Sequence, residues 1–280
     1  MRTQSSSARI AEGHRGKLPN RRVRVFLLSG LLLLVGANFS WAARPLVIDD
    51  AAPVAAGQLE IEFGSSHARL HGGGREQAWP VIALAYGLTD RLEIGLSIQR
   101  VNHDRRNEPA VEGFEDLHLA SKLSIVEETD LFPAAAFSLD VKLPTARSSK
   151  ALSTGKFEEA FSLIFSKAYA PLGLHLNIGY LLVESPRNAK LKNRLRGGLA
   201  GDYALTPELT LVGEVFGASR VASAEPNEAA FQIGVRYAVT KSLVLDAAAG
   251  RSLRSSGTNL QGTAGLTWTI DVLDLLKLGN

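Results

Sequence analysis

The chain has 280 residues, no cysteine and a formal net charge of +3. The charge is unevenly placed: residues 1–42 hold seven Lys/Arg and a single acid, whereas the other 238 residues hold 24 bases and 27 acids. Beyond residue 42 the chain has no excess of basic residues that could neutralise phosphates, which argues against nucleic acid as a partner. The lack of cysteine excludes disulfides, thiolate metal sites and cysteine nucleophiles.

The first predicted element is a secretory signal peptide over residues 1–42. Basic residues at 21, 22 and 24 precede an apolar run at 25–37, and the small residues Ser40 and Ala42 follow it. A basic flank, a short apolar core and small residues at the cleavage site are the parts of such a signal. The run is shorter than the roughly 18 residues that a membrane-spanning helix needs. We expect cleavage near Ala42, export from the cytoplasm, and a periplasmic linker over residues 43–57.

Beyond the linker, apolar residues alternate with polar or small residues as far as residue 270. In one segment Leu92, Ile94 and Leu96 alternate with Glu93 and Gly95. A period of two is typical of β-strands with one apolar and one polar face. The sequence predicts twelve such segments, at about 58–70, 76–87, 91–101, 114–126, 134–144, 157–169, 174–184, 193–205, 209–218, 228–239, 243–252 and 260–270.

The connections between the predicted strands alternate between short and long. Short ones such as residues 87–90 and 206–208 are followed by longer polar ones such as 102–113 and 145–156. Bacterial outer-membrane barrels have short periplasmic turns, long external loops and an even number of antiparallel strands. We therefore predict an all-β, up-and-down barrel over residues 58–270, with residues 271–280 as a C-terminal tail.

Alternation by itself does not tell a membrane barrel from a soluble barrel or sandwich, whose apolar face points inward. Two features favour the membrane. The polar face is rich in Gly, Ala, Ser and Thr, and Tyr86, Tyr169, Tyr203 and Tyr237 all lie in the apolar register just before short turns, as an interfacial aromatic girdle requires. The expected location is the outer membrane, and the expected partners are its lipids, periplasmic chaperones and the barrel-assembly machinery.

Several stretches resemble the "MetA-pathway of phenol degradation" family of proposed outer-membrane transporters. The similar stretches are the strand-turn-strand sequence at 86–95, the strand entry at 113–117, the loop region at 141–145 with 153–155, and the turn at 203–207. This resemblance implies a transmembrane β-barrel that acts as a channel or transporter for small compounds, aromatic ones among them.

The polar register of the strands predicts a charged lumen lining. The candidates are Glu60, Glu62, Glu93, Asp116, His118, Lys122, Asp140, Lys142, Glu158, His175, Arg194, Arg196, Asp202, Glu214, Arg236, Asp246 and Arg251. Two roles stay open for them: selection of solutes, or cross-strand ion pairs that fill and stiffen the barrel. Lys122 is expected to tune selectivity, and Arg194 with Arg196 to form an anion-attracting patch.

The function expected from these features is passive uptake of small organic solutes through a charged lumen. The alternative is a non-transporting structural or adhesion barrel that acts through its external loops. A hydrolase would need a nucleophile held by a base, but no motif joins Ser121 or Ser138 to His118, and Ser121 is expected on the face opposite to His118. No cofactor, metal or catalytic site is predicted.

Overall fold

The computed structural model describes residues 44–106, 109–148, 152–186, 190–222, 226–254 and 258–272. The predicted signal peptide and residues 273–280 of the predicted tail lie outside these ranges. Within them, no helix has the length and apolarity needed to cross a membrane.

The described residues contain thirteen strands, all in one sheet. They are β1 Gln58–Leu70, β2 Gly74–Thr89, β3 Leu92–Arg105, β4 Val111–Phe114, β5 Leu117–Val126, β6 Ala134–Leu143, β7 Glu158–Tyr169, β8 Leu172–Val183, β9 Arg194–Ala204, β10 Leu209–Ala218, β11 Glu228–Ala238, β12 Leu243–Ser252 and β13 Thr258–Asp271.

The sheet closes on itself because β1 pairs with β2 on one side and with β13 on the other. The pairings are antiparallel throughout. β4 and β5 both pair with β3 and together occupy one strand position in the wall, which is interrupted at Glu115 and Asp116. The wall therefore has twelve strand positions, as predicted, although the single strand predicted at 114–126 is built from two pieces.

The apolar face of the wall points outward and the charged face points inward. Ile94, Leu199 and Ile233 are 44, 56 and 66 % exposed, whereas Glu93 and Lys122 are only 3 and 2 % exposed. A soluble barrel would show the opposite arrangement. The fold is thus a transmembrane-type β-barrel with an apolar exterior and a polar interior.

The two-residue turns and the longest loop lie at opposite ends of the barrel. β2 and β3 are separated by two residues and β7 and β8 by two, whereas the β6–β7 loop spans 144–157. Gln58, the first residue of β1, pairs with Asp271, the last residue of β13, so the chain enters and leaves the wall at the short-turn end. Tyr169, Tyr203 and Tyr237 are exposed on the outer face near the same end, where an aromatic girdle was predicted.

Candidate functional site

Sixteen of the seventeen predicted lumen residues lie on the inner face of the wall. Their side chains share the register of buried residues such as Ala85, Ala200 and Ala248. They are Glu60, Glu62, Glu93, Asp116, His118, Lys122, Asp140, Lys142, Glu158, His175, Arg194, Arg196, Asp202, Glu214, Arg236 and Asp246.

The assignment of Arg251 to the lumen is wrong. Arg251 is exposed and pairs with Phe231 on the outer face, whereas its neighbour Ser252 is buried inside. Asp246 and Arg251 are five positions apart on β12. Because successive side chains of a strand point to alternate faces, this odd separation places them on opposite sides of the sheet.

Residues 44–56, here named the lumen segment, lie inside the barrel. Wall side chains bind its backbone: Glu214 accepts hydrogen bonds from the N–H groups of Val47 and Ile48 at 2.9 and 2.7 Å, and Gln232 donates to the Pro45 carbonyl at 3.0 Å. The prediction of a periplasmic linker over residues 43–57 is therefore corrected for residues 44–56, which lie inside the barrel.

Apolar contacts between the lumen segment and the wall add to these hydrogen bonds. Leu46 and Ile48 pack against Ala200 and Val212. Further along, Ala51 packs against Ala136 and Ile164, and Val54 against Ala83 and Ala85. These partners come from β2, β6, β7, β9 and β10, so the segment meets the wall on several sides.

Arg44 is held in a shaped recess of the wall. Its guanidinium donates to both carboxylate oxygens of Asp246 at 3.2 Å and to the Thr263 hydroxyl at 3.1 Å. A Cβ atom at Gly64 or Gly265 would overlap with the guanidinium. The absence of a side chain at both positions is what lets the arginine lie flat against the wall.

Lys122 binds the middle of the lumen segment to the wall. Its ammonium lies 3.3 Å from Asp49 of the segment and 3.7 Å from Glu93 of β3. Glu93 also accepts the Val54 N–H at 2.6 Å. Charge pairing and backbone hydrogen bonding therefore converge on the same stretch of the segment.

Ser166, His175 and Asp202 form a hydrogen-bonded row on the wall. Ser166 Oγ lies 2.9 Å from His175 Nδ1, and His175 Nε2 lies 3.0 Å from Asp202 Oδ2. Sequence reasoning missed this row, because only the register of β7 with β8 places Ser166 opposite His175. The Ser166 hydroxyl accepts the Ala51 N–H at 2.8 Å, so the row fixes the lumen segment.

The predicted separation of Ser121 from His118 holds, since Ser121 pairs with the outward-facing Ile94.

The described parts of two long loops fold into the opposite end of the barrel. Leu152 of the β6–β7 loop is 5 % exposed and packs against Ala78, Val81 and Val101 of the inner wall. Asp116 accepts hydrogen bonds from the Ala146 N–H at 2.9 Å and the Ser153 hydroxyl at 2.6 Å of the same loop.

The second inward loop joins β10 to β11 and spans 219–227. Val221 and Ala222 are buried against Ala160 and Leu181 of β7 and β8. Arg194 donates to the Ser219 carbonyl at 2.8 Å and thereby ties the start of this loop to β9.

A chamber of about 470 Å³ lies inside the barrel. Residues 44–49 of the lumen segment line it together with wall residues and with Pro226 and Asn227 of the β10–β11 loop. On one side it is lined by His103, which lies 3.6 Å from Glu76 and 3.4 Å from Glu115. Arg194 and Arg196 line it from β9, almost opposite in the order of the strands.

The sequence matches a family model over residues 54–270, most of the chain; the family is described as "MetA-pathway of phenol degradation". The chain belongs to this family. No curated protein matches it significantly.

Two solved structures show the same fold as this family member. An outer-membrane channel from Pseudomonas putida F1 is 14 % identical, with a TM-score of 0.63, over 79 % of this chain and 98 % of that one. The NanC porin is 10 % identical, with a TM-score of 0.52, over 75 % of this chain and 98 % of that one. Both likenesses support the barrel architecture.

Proposed function

We propose that this chain is an outer-membrane channel for passive uptake of small organic solutes. The observation that carries the proposal is the chamber of about 470 Å³ inside a closed barrel with an apolar exterior. A chamber of that size fits the range of about 300–1,000 Å³ typical of small-molecule sites. The family description adds aromatic compounds as the expected solute class.

Three observations support the location in the outer membrane. The exterior is apolar, tyrosines are exposed at one level of the wall, and both structurally similar proteins are a channel or porin. Closed barrels satisfy all backbone hydrogen bonds and so suit a lipid environment. Membrane lipids, periplasmic chaperones and the barrel-assembly machinery remain the proposed partners.

The proposed mechanism is diffusion through the chamber past the lumen segment. A solute enters at the long-loop end, is held in the chamber, and leaves at the short-turn end when residues 44–56 shift. We propose no enzymatic role. The adhesion alternative is less well supported, because the described parts of the β6–β7 and β10–β11 loops fold inward.

The lumen segment supplies a direct test of the channel. Ala51 is 2 % exposed and packed against Ala136 and Ile164, so Ala51→Arg cannot be accommodated and displaces the segment. Ala52 is exposed, and Ala52→Arg is the matched control. We expect single-channel conductance in planar bilayers to rise in Ala51→Arg and to stay at the wild-type value in Ala52→Arg.

A folded Ala51→Arg barrel with wild-type conductance would contradict the proposed route. Uptake into proteoliposomes then tests the solute class with a neutral aromatic compound, 4-hydroxybenzyl alcohol, against sucrose. After subtraction of uptake by protein-free liposomes, we expect the aromatic compound to enter the Ala51→Arg vesicles faster than sucrose does.

A further inference from the structure

Among the lysines and arginines that the structure describes on the chamber lining, Arg196 differs in its lack of a close carboxylate. Among the described residues, no carboxylate oxygen lies within 4.0 Å of its guanidinium. Arg194, two positions earlier on the same face, lies 3.0 Å from Glu228, and Lys122 and Arg236 also have carboxylate neighbours.

The wall leaves room for Arg196 and gives it one weak polar contact. Its guanidinium donates to the Ser162 hydroxyl at 3.4 Å. A Cβ atom at Gly179 would lie 3.0 Å from Cγ of Arg196, so the glycine makes space for the arginine stem. Asp140 is the acid whose charge acts on Arg196, but the Asp140 carboxylate is already bound by His118 at 2.8 Å.

Most of the described acids around the chamber have cationic neighbours of their own. Glu76 lies 2.6 Å from Arg105, and Glu115 lies 3.4 Å from His103. Glu228 is bound by Arg194. Glu62, on the far wall, is the exception: one of its carboxylate oxygens has no hydrogen-bond partner, and among the described residues no cation lies within 4.0 Å of it. Since buried charges are normally paired, Arg196 is the position where an added anion is favoured.

Apolar residues of the chamber lining complete the site. Ile164, Phe216 and Ala230 line the same chamber. A guanidinium binds a carboxylate with charge-assisted, frequently bidentate hydrogen bonds, and the apolar lining accommodates a hydrocarbon body. We propose that the chamber binds small organic carboxylates with a ring or short apolar chain, and that Arg196 binds the carboxylate. This rests on the chamber being the solute path.

Binding calorimetry on the detergent-purified chain tests this with three probes that share a ring: benzoate, phenol and benzylamine. Because hydrogen bonds to a charged group are the stronger kind, we expect benzoate to bind about tenfold more tightly than phenol or benzylamine. Arg196→Gln should abolish this preference, and Arg196→Lys should restore part of it. Arg251→Gln makes the same change on the outer face and should keep it.

Equal binding of benzoate and phenol, or a benzoate preference that survives in folded Arg196→Gln, overturns the inference. The calorimetric result does not depend on flux. If the Ala51→Arg barrel conducts but Arg196 has no effect on benzoate, the channel stands and the anion site fails. If benzoate binding depends on Arg196 but the barrel never conducts, the anion site stands and the channel fails.

Discussion

Most charged residues that the structure describes inside the barrel have an oppositely charged partner close by, which favours ion pairing over solute selection for those residues. Lys122 was expected to tune selectivity, yet it is 2 % exposed and lies between Asp49 and Glu93. Lys142 is bound to Glu158 and lies 3.5 Å from Asp116. For Lys122 the structure supports an ion pair that joins the wall to the lumen segment, and for Lys142 it supports ion pairs with Asp116 and Glu158. Arg196 remains the candidate for solute selection.

Replacement of Lys122 tests the pairing role. Lys122→Met leaves the buried carboxylates of Asp49 and Glu93 without their cation, and removal of one partner from a buried pair typically costs about 3–5 kcal/mol. Lys156→Met is the matched control, because the Lys156–Glu184 pair is largely exposed and exposed pairs contribute about 0–1 kcal/mol. Urea unfolding in lipid vesicles measures both. An equally small cost for the two variants would show that Lys122 is not a structural cation.

At the scale of the elements, the strands were predictable and the contents of the lumen were not. The alternation at Leu92–Leu96 is a local property, so strand and face follow from the sequence. Residues 44–56 show no such period, and their place inside the barrel depends on Glu214, Lys122 and Asp246, which are distant in the sequence. Arg251 was misassigned for a local reason, an error of one position in the alternation.

The β6–β7 loop provides a test at the same scale. Asp116→Ala removes the acceptor of the Ala146 N–H and the Ser153 hydroxyl, so the loop should leave the lumen and become open to protease. We expect faster trypsin cleavage at Arg147 or Lys156 in proteoliposomes. Asp130→Ala, in an exposed short turn, should leave the rate unchanged. Wild-type cleavage of Asp116→Ala would mean that this acid does not hold the loop.

At the scale of the whole molecule, the barrel wall separates two solvents: lipid contacts its outer face and water contacts its inner face. Ser138 lines the chamber, and Leu163, 46 % exposed, lies on the outer face opposite Phe137 at the same level. Lipid should surround Leu163, and water should surround Ser138. The chain has no cysteine, so single cysteines at these two sites can be labelled without further changes.

The most direct measurement is the accessibility of spin labels on Ser138→Cys and Leu163→Cys in lipid vesicles. The Leu163 label should collide mainly with oxygen, which is concentrated in lipid, and the Ser138 label with a water-soluble nickel chelate. The reverse pattern, with the label at Ser138 in lipid and the label at Leu163 in water, would contradict the account of a barrel with an apolar exterior and a charged lumen.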